Sequence, residues 1–143
     1  MKLTFSKGTL TTVKADSLIV LTFSDRNLLE DTINRVDKYL NGQLSTLISA
    51  GDFKGKEKEL AVVYPTNSIV KSKRIIIVGL GERDKVTLEK IRRSVAVASK
   101  KSQNLKSKTV AIEFPDYSLL KDKINDDLSY IAQSIAEASV LAL

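Results

Sequence analysis

The side chains that could do chemistry in this chain are few in kind. Its 143 residues contain no cysteine and no histidine, which excludes thiolate nucleophiles, zinc–thiolate sites and iron–sulfur clusters. Histidine, the commonest general base and metal ligand, is absent as well. Any catalysis would rest on carboxylates, lysine, tyrosine or serine. From the residues alone we assign no catalytic, cofactor-binding or metal-binding position.

Basic residues form the most prominent charged group. Residues 71–108 hold twelve lysines and arginines against three acids. One side of a predicted helix carries four of these cations opposite its apolar stripe: Lys90, Arg93, Lys100 and Lys101. Such a stripe could follow a phosphate backbone, which makes these four residues the candidate contacts of a nucleic-acid-binding module over residues 85–108. A solvated helix face is the commoner explanation of the pattern.

Gly79 and Gly81 follow a buried strand at the point where a dinucleotide fingerprint would begin. That fingerprint needs a third glycine, and Asp84 stands in its place. We therefore favour a tight turn. A macro-like nucleotide pocket at the carboxyl ends of the strands is the alternative.

Residues 51–56, Gly-Asp-Phe-Lys-Gly-Lys, form a second unusual segment. Two glycines around an aromatic residue favour backbone turns that place Phe53 in the core and leave Lys54 and Lys56 in water. A phosphate-binding loop is the alternative, but no helix begins directly behind the segment.

Three acids precede the last predicted helix, namely Asp122, Asp126 and Asp127. Carboxylates there favour the positive end of the helix dipole, so we predict capping. A paired-carboxylate acid/base site is the alternative interpretation of these acids, but the sequence offers no partner residue to support it.

The apolar spacing predicts alternating strands and helices in the order β-β-β-α-β-β-α-β-α. An opening hairpin through residues 3–13 is followed by strands at 18–21, 60–64, 74–78 and 110–114, and by helices at 29–40, 88–105 and 128–138, with a shorter helical piece at 44–48. This order predicts an α/β fold, a three-layer α/β/α sandwich on a mixed, mainly parallel sheet.

The size and the ends of the chain predict its organisation. With 43% hydrophobic residues, residues 1–143 form one core and one domain. Neither a signal peptide nor a membrane span is evident, so we expect a cytoplasmic protein without membrane contact. The last helix runs through four apolar residues without glycine, proline or a basic last turn, which indicates a domain of a longer protein.

Three segments in order resemble the N-terminal domain of the leucyl (cytosol) aminopeptidase family. They are residues 51–56, residues 74–81 (Arg-Ile-Ile-Ile-Val-Gly-Leu-Gly) and residues 91–96 (Ile-Arg-Arg-Ser-Val-Ala) in the following helix. The resemblance implies a macro-domain-like sandwich and a C-terminal catalytic domain outside this chain.

The resemblance also implies that the catalytic domain holds two divalent metals, zinc or manganese, that activate a water for attack on the N-terminal peptide bond. The family's metal ligands lie in an Asn-Thr-Asp-Ala-Glu-Gly-Arg-like stretch, which this chain lacks. No catalytic residue is therefore transferred to it. The implied partners are the chain's own catalytic domain, further copies in a hexamer and, in some bacterial members, DNA. The parent would be an aminopeptidase and this chain alone would not.

Overall fold

The computed structural model describes residues 10–113 and 116–141. Its strands and helices follow one another in the order β1 Ser17–Thr22, α1 Arg26–Val36, α2 Gln43–Ser49, β2 Leu60–Val63, β3 Arg74–Gly79, α3 Leu88–Asn104, β4 Val110–Ile112 and α4 Leu128–Leu141. Short 3-10 turns occur at Asp37–Tyr39, Arg83–Lys85 and Tyr117–Leu119.

The four described strands form one mixed sheet in the order β2-β3-β1-β4. β1 pairs in parallel with β3 and with β4, and Ser17 stands beside both Arg74 and Val110. β2 pairs antiparallel with β3. The three parallel strands therefore begin at one end of the sheet, the amino end, and finish at the other, the carboxyl end.

Helices cover both faces of the sheet. Alternate residues of each strand point to opposite faces, so apolar residues in succession need a covering layer on each side. Ile76 and Val78 of β3 belong to the core under α3 and α4. Ile75 and Ile77 belong to the core under α1 and α2. The prediction of a three-layer α/β/α sandwich on a mixed, mainly parallel sheet is confirmed.

Two predicted elements differ from the structure. Residues 10–12 form a turn and not the second arm of a hairpin; the first arm lies outside the described residues. The helix predicted over 29–40 ends as an α-helix at Val36. The chain continues from there as the 3-10 turn Asp37–Tyr39. The two oxygens of the Asp37 carboxylate accept the amides of Leu44 and Ser45 in the next helix, both at 2.9 Å.

Candidate functional site

The two glycine-containing segments meet at the carboxyl end of the sheet. Gly81 N–H donates to the Gly55 carbonyl over 3.0 Å, and Lys58 N–H donates to the Gly79 carbonyl over 3.0 Å. A Cβ on Gly79 would lie 2.1 Å from the Lys56 carbonyl oxygen. The backbone of residues 55–56 therefore occupies the space that any side chain at position 79 would need.

Phe53 anchors this segment in the core under α1 and α2, where its side chain is fully buried. Lys54 and Lys56 on either side of Gly55 are exposed. The Glu59 carboxylate accepts the amides of Lys54 and Lys56, at 2.7 and 3.2 Å. The prediction of a buried Phe53 between solvated lysines is confirmed.

Four backbone amides near Gly79 are not available to cradle a phosphate, because each donates within the chain. Gly79 donates to the Glu59 carbonyl, and Leu80 donates to the Thr22 carbonyl. The Arg83 amide donates to the Asp25 carboxylate over 2.8 Å. The Gly81 amide likewise donates to the Gly55 carbonyl. These hydrogen bonds favour the tight-turn interpretation of the Gly79–Gly81 segment over a phosphate site.

A small cavity of about 180 Å³ lies at the carboxyl ends of β1 and β3. Its charged lining consists of Asp31, Arg35, Glu113 and Asp116, with leucines and Phe23 among the remaining residues. Arg35 is already paired with Glu113 over 2.5 Å. The lining carries more acid than base, which disfavours a phosphorylated ligand there.

The four candidate nucleic-acid contacts all lie on α3, and the structure does not gather them into one site. Arg93 is exposed and pairs with Glu89 over 3.2 Å. Lys100 is exposed and donates to the Gln103 side chain over 3.2 Å. Lys90 and Lys101 are half-buried, near opposite ends of the helix. The four form a long, partly neutralised helix face.

Of the three acids before α4, Asp127 caps that helix. Asp127 Oδ1 accepts the Tyr130 amide over 2.8 Å, which confirms its predicted capping role. The prediction for Asp122 is wrong, since its carboxylate lies 3.1 Å from the Arg83 guanidinium. Although desolvation opposes the change, the hydrogen bond from Arg83 holds the pKa of Asp122 below its usual value.

The residues present do not fit a two-metal site. The chain has neither histidine nor cysteine, and over residues 10–113 and 116–141 no three carboxylates converge as metal ligands would. In the same part of the chain, no helix is long and apolar enough to cross a membrane.

Sequence reasoning missed one grouping. The segments before β1, β3 and β4 bring six cations together at the amino end of the sheet: Lys14, Lys71, Lys73, Arg74, Lys106 and Lys108. We call these six residues the amino-end cluster. In the sequence, the basic excess of residues 71–108 indicated five members of this cluster. It did not indicate Lys14, which lies far away along the chain.

Comparison with known proteins identifies the class. The family described as "Cytosol aminopeptidase family, N-terminal domain" matches residues 19–143. The probable cytosol aminopeptidase of Sulfurihydrogenibium sp. is 30% identical over 99% of this chain and 27% of its own length. That of Synechococcus elongatus is 36% identical over 80% of this chain and 21% of its own. The chain thus spans about a quarter of the length of these relatives.

Solved structures show the same fold. A mutant of tomato leucine aminopeptidase superposes with a TM-score of 0.69 at 18% identity, covering 96% of this chain and 27% of that one. The macrodomain of Mycobacterium tuberculosis DarG superposes with a TM-score of 0.66 at 15% identity, covering 94% of this chain and 88% of that one. The fold is therefore macro-like, and the chain belongs to the cytosol aminopeptidase family, of which it is similar to the N-terminal domain.

Proposed function

We propose that residues 1–143 form the single, non-catalytic N-terminal domain of a longer, cytoplasmic, metal-dependent aminopeptidase. One observation carries the proposal: residues 19–143 match the family's N-terminal domain, while the relatives extend to about four times the chain's length. The two divalent metals, zinc or manganese, belong to the catalytic domain in this proposal. They would there activate water and polarise the peptide carbonyl.

The role of this domain is to support the assembly of the catalytic domain or to shield it, in a homo-oligomer that we propose to be a hexamer. A rigid body suits that role. The locking of residues 53–59 against Gly79–Gly81 fixes the carboxyl end of the sheet through backbone contacts. Closely packed backbone of this kind resists deformation more than a flexible loop does.

Hydrolysis of leucine amide by the purified chain tests the proposal. We expect no turnover above buffer with added Mn²⁺ or Zn²⁺, because the chain lacks the Asn-Thr-Asp-Ala-Glu-Gly-Arg-like stretch and no three carboxylates converge over residues 10–113 and 116–141. The Synechococcus elongatus relative, assayed under the same conditions, serves as the positive control. Turnover that co-elutes with the chain through two different columns and disappears with chelator would overturn the proposal.

A further inference from the structure

The small cavity at the carboxyl ends of β1 and β3 lies where open α/β sheets bind their ligands. Such sites form where the connections of two neighbouring strands leave toward opposite faces of the sheet. Here β1 and β3 are neighbours, and α1 after β1 covers one face while α3 after β3 covers the other. Thr22 at the end of β1, Leu80 after β3 and Glu113 after β4 all line the cavity. The cavity therefore occupies the switch point of this sheet.

The buried part of the cavity lining is apolar. Its hydrocarbon side chains are Leu21, Phe23, Leu28, Leu80 and Leu119. The hydroxyls of Thr22 and Thr32 also line the cavity, but they are hydrogen-bonded to each other over 2.9 Å. The interior thus satisfies its own polar groups, and it favours a ligand whose body is apolar.

Charged side chains lie on the more exposed part of the lining. Arg35 and Glu113 form an ion pair with each other. Asp31 is exposed, and its carboxylate has no hydrogen-bond or ion-pair partner among the described residues. Asp116 is exposed as well, and its Oδ1 accepts the amide and the hydroxyl of Ser118, at 3.0 and 2.8 Å. Three carboxylates against one guanidinium leave two negative charges at the cavity, which favour a cationic ligand.

The arrangement of the carboxylates distinguishes between two kinds of cation. Divalent metals need several oxygen ligands at close range, and over residues 10–113 and 116–141 no three carboxylates converge in that way. An ammonium group is a compact charge with three donors that turn freely, so it needs no fixed set of ligands. An organic ammonium ion satisfies both the charged and the apolar parts of the lining.

The volume of the cavity limits the size of this ligand. A cavity of about 150 Å³ lined by Leu, Ile and Phe holds one benzene molecule, which has six carbons. The cavity here measures about 180 Å³, so it accommodates about six or seven non-hydrogen atoms. A nucleotide is several times larger and carries the opposite charge.

We propose that this cavity binds a small aliphatic amine as its ammonium ion. The hydrocarbon body packs against the leucines, and the ammonium group pairs with the carboxylates of Asp31 and Asp116. Amines of this kind are protonated at neutral pH, as the lysine side chain is. The proposal goes beyond the aminopeptidase function and does not depend on it. The hydrolysis assay can therefore fail while amine binding stands, and the reverse also holds.

A titration of the isotope-labelled chain, followed by the NMR shifts of its backbone amides, tests the proposal. The probe is isopentylamine, with six non-hydrogen atoms. Isopentanol has the same skeleton without the charge, and isovalerate carries the opposite charge. We expect saturable shifts at residues 21–23, 28–35 and 80, which line the cavity or flank its lining, with a Kd of about 1 mM or lower for the amine. Isopentanol should bind at least about fivefold more weakly, and isovalerate should not saturate at about 10 mM.

Two single variants separate the charge at the cavity from the general charge of α1. Asp31→Asn removes a carboxylate of the lining and keeps its shape. Glu30→Gln is the matched control, because Glu30 is the preceding residue, is exposed and does not line the cavity. We expect Asp31→Asn to weaken isopentylamine binding at least about threefold and to leave isopentanol binding within about twofold. The control should leave both within about twofold.

Four outcomes would overturn the proposal. They are the absence of saturable shifts with isopentylamine at about 10 mM, isopentanol binding as tightly as the amine, shifts confined to residues away from the cavity, and equal effects of the two variants on amine binding. Weakening of isopentanol as much as of the amine in Asp31→Asn would also count against it, because loss of the charge alone acts on the amine.

Discussion

Replacement of Gly79 by alanine tests the close approach that shapes the carboxyl end of the sheet. The added Cβ would lie 2.1 Å from the Lys56 carbonyl oxygen and 2.4 Å from the Gly55 carbonyl carbon and oxygen. These are backbone atoms, which cannot turn aside as the end of a flexible side chain could. Either residues 55–56 must move away from β3, or β3 must shift inside a packed core.

The cost follows from what the displaced segment loses. The two hydrogen bonds that join it to Gly79 and Gly81 are worth about 1 kcal/mol each. Exposure of Phe53, now fully buried, would add about 1.5–3 kcal/mol. A partial rearrangement would cost about 1–3 kcal/mol, the usual range for overpacking. We therefore expect Gly79→Ala to lower the free energy of unfolding by about 3–5 kcal/mol.

Urea unfolding followed by circular dichroism measures this difference, with Gly51→Ala as the control. Gly51 has a φ of +80° but no atom within 4 Å of its added Cβ, so that variant should lose only about 1 kcal/mol from backbone strain. A Gly79→Ala variant that loses no more stability than Gly51→Ala would refute the account of this close approach.

Three further variants test other parts of the structure. Phe53→Ala should cost about 3–5 kcal/mol in urea unfolding, and a cost near zero would place the ring outside the core. Lys106→Gly should raise stability by up to about 1 kcal/mol in the same assay by relieving the φ of +61° at that position; a clear loss would argue against strain there. Hydrogen bonds from the Lys108 amide and the Lys73 side chain hold the pKa of Asp16 below its usual value, so its stabilisation is present above the unfolded value near 3.8 and is lost as pH falls through the folded value. Asp16→Asn should therefore weaken the dependence of unfolding on pH in acid, and an unchanged profile would contradict this.

Local patterns in the sequence predicted the elements that depend on burial. The run of β-branched residues at 75–78 became β3, one of the two inner strands of the sheet, and the apolar spacing from Leu88 onward became α3. These predictions succeed because an element that is buried on one or both faces has a hydrophobic periodicity in its own sequence. That periodicity can be recognised without knowing which element packs against it.

Contacts between distant segments could not be predicted in the same way. The two glycine motifs were each interpreted alone, and their direct contact depends on the antiparallel pairing of β2 with β3. The Asp37 carboxylate accepts an amide at the start of α2, and the apolar pattern of α1 does not reveal that contact. The amino-end cluster combines Lys14 with residues more than fifty positions away, because parallel strands bring their starts together.

Identification of the native polypeptide tests the central claim most directly. An antibody against this chain should capture, from cells that express the gene, a polypeptide about four times as long, as the relatives are. The captured protein should hydrolyse leucine amide and lose that activity to chelator. Capture of a 15.8 kDa polypeptide without such activity would contradict the assignment to a longer aminopeptidase.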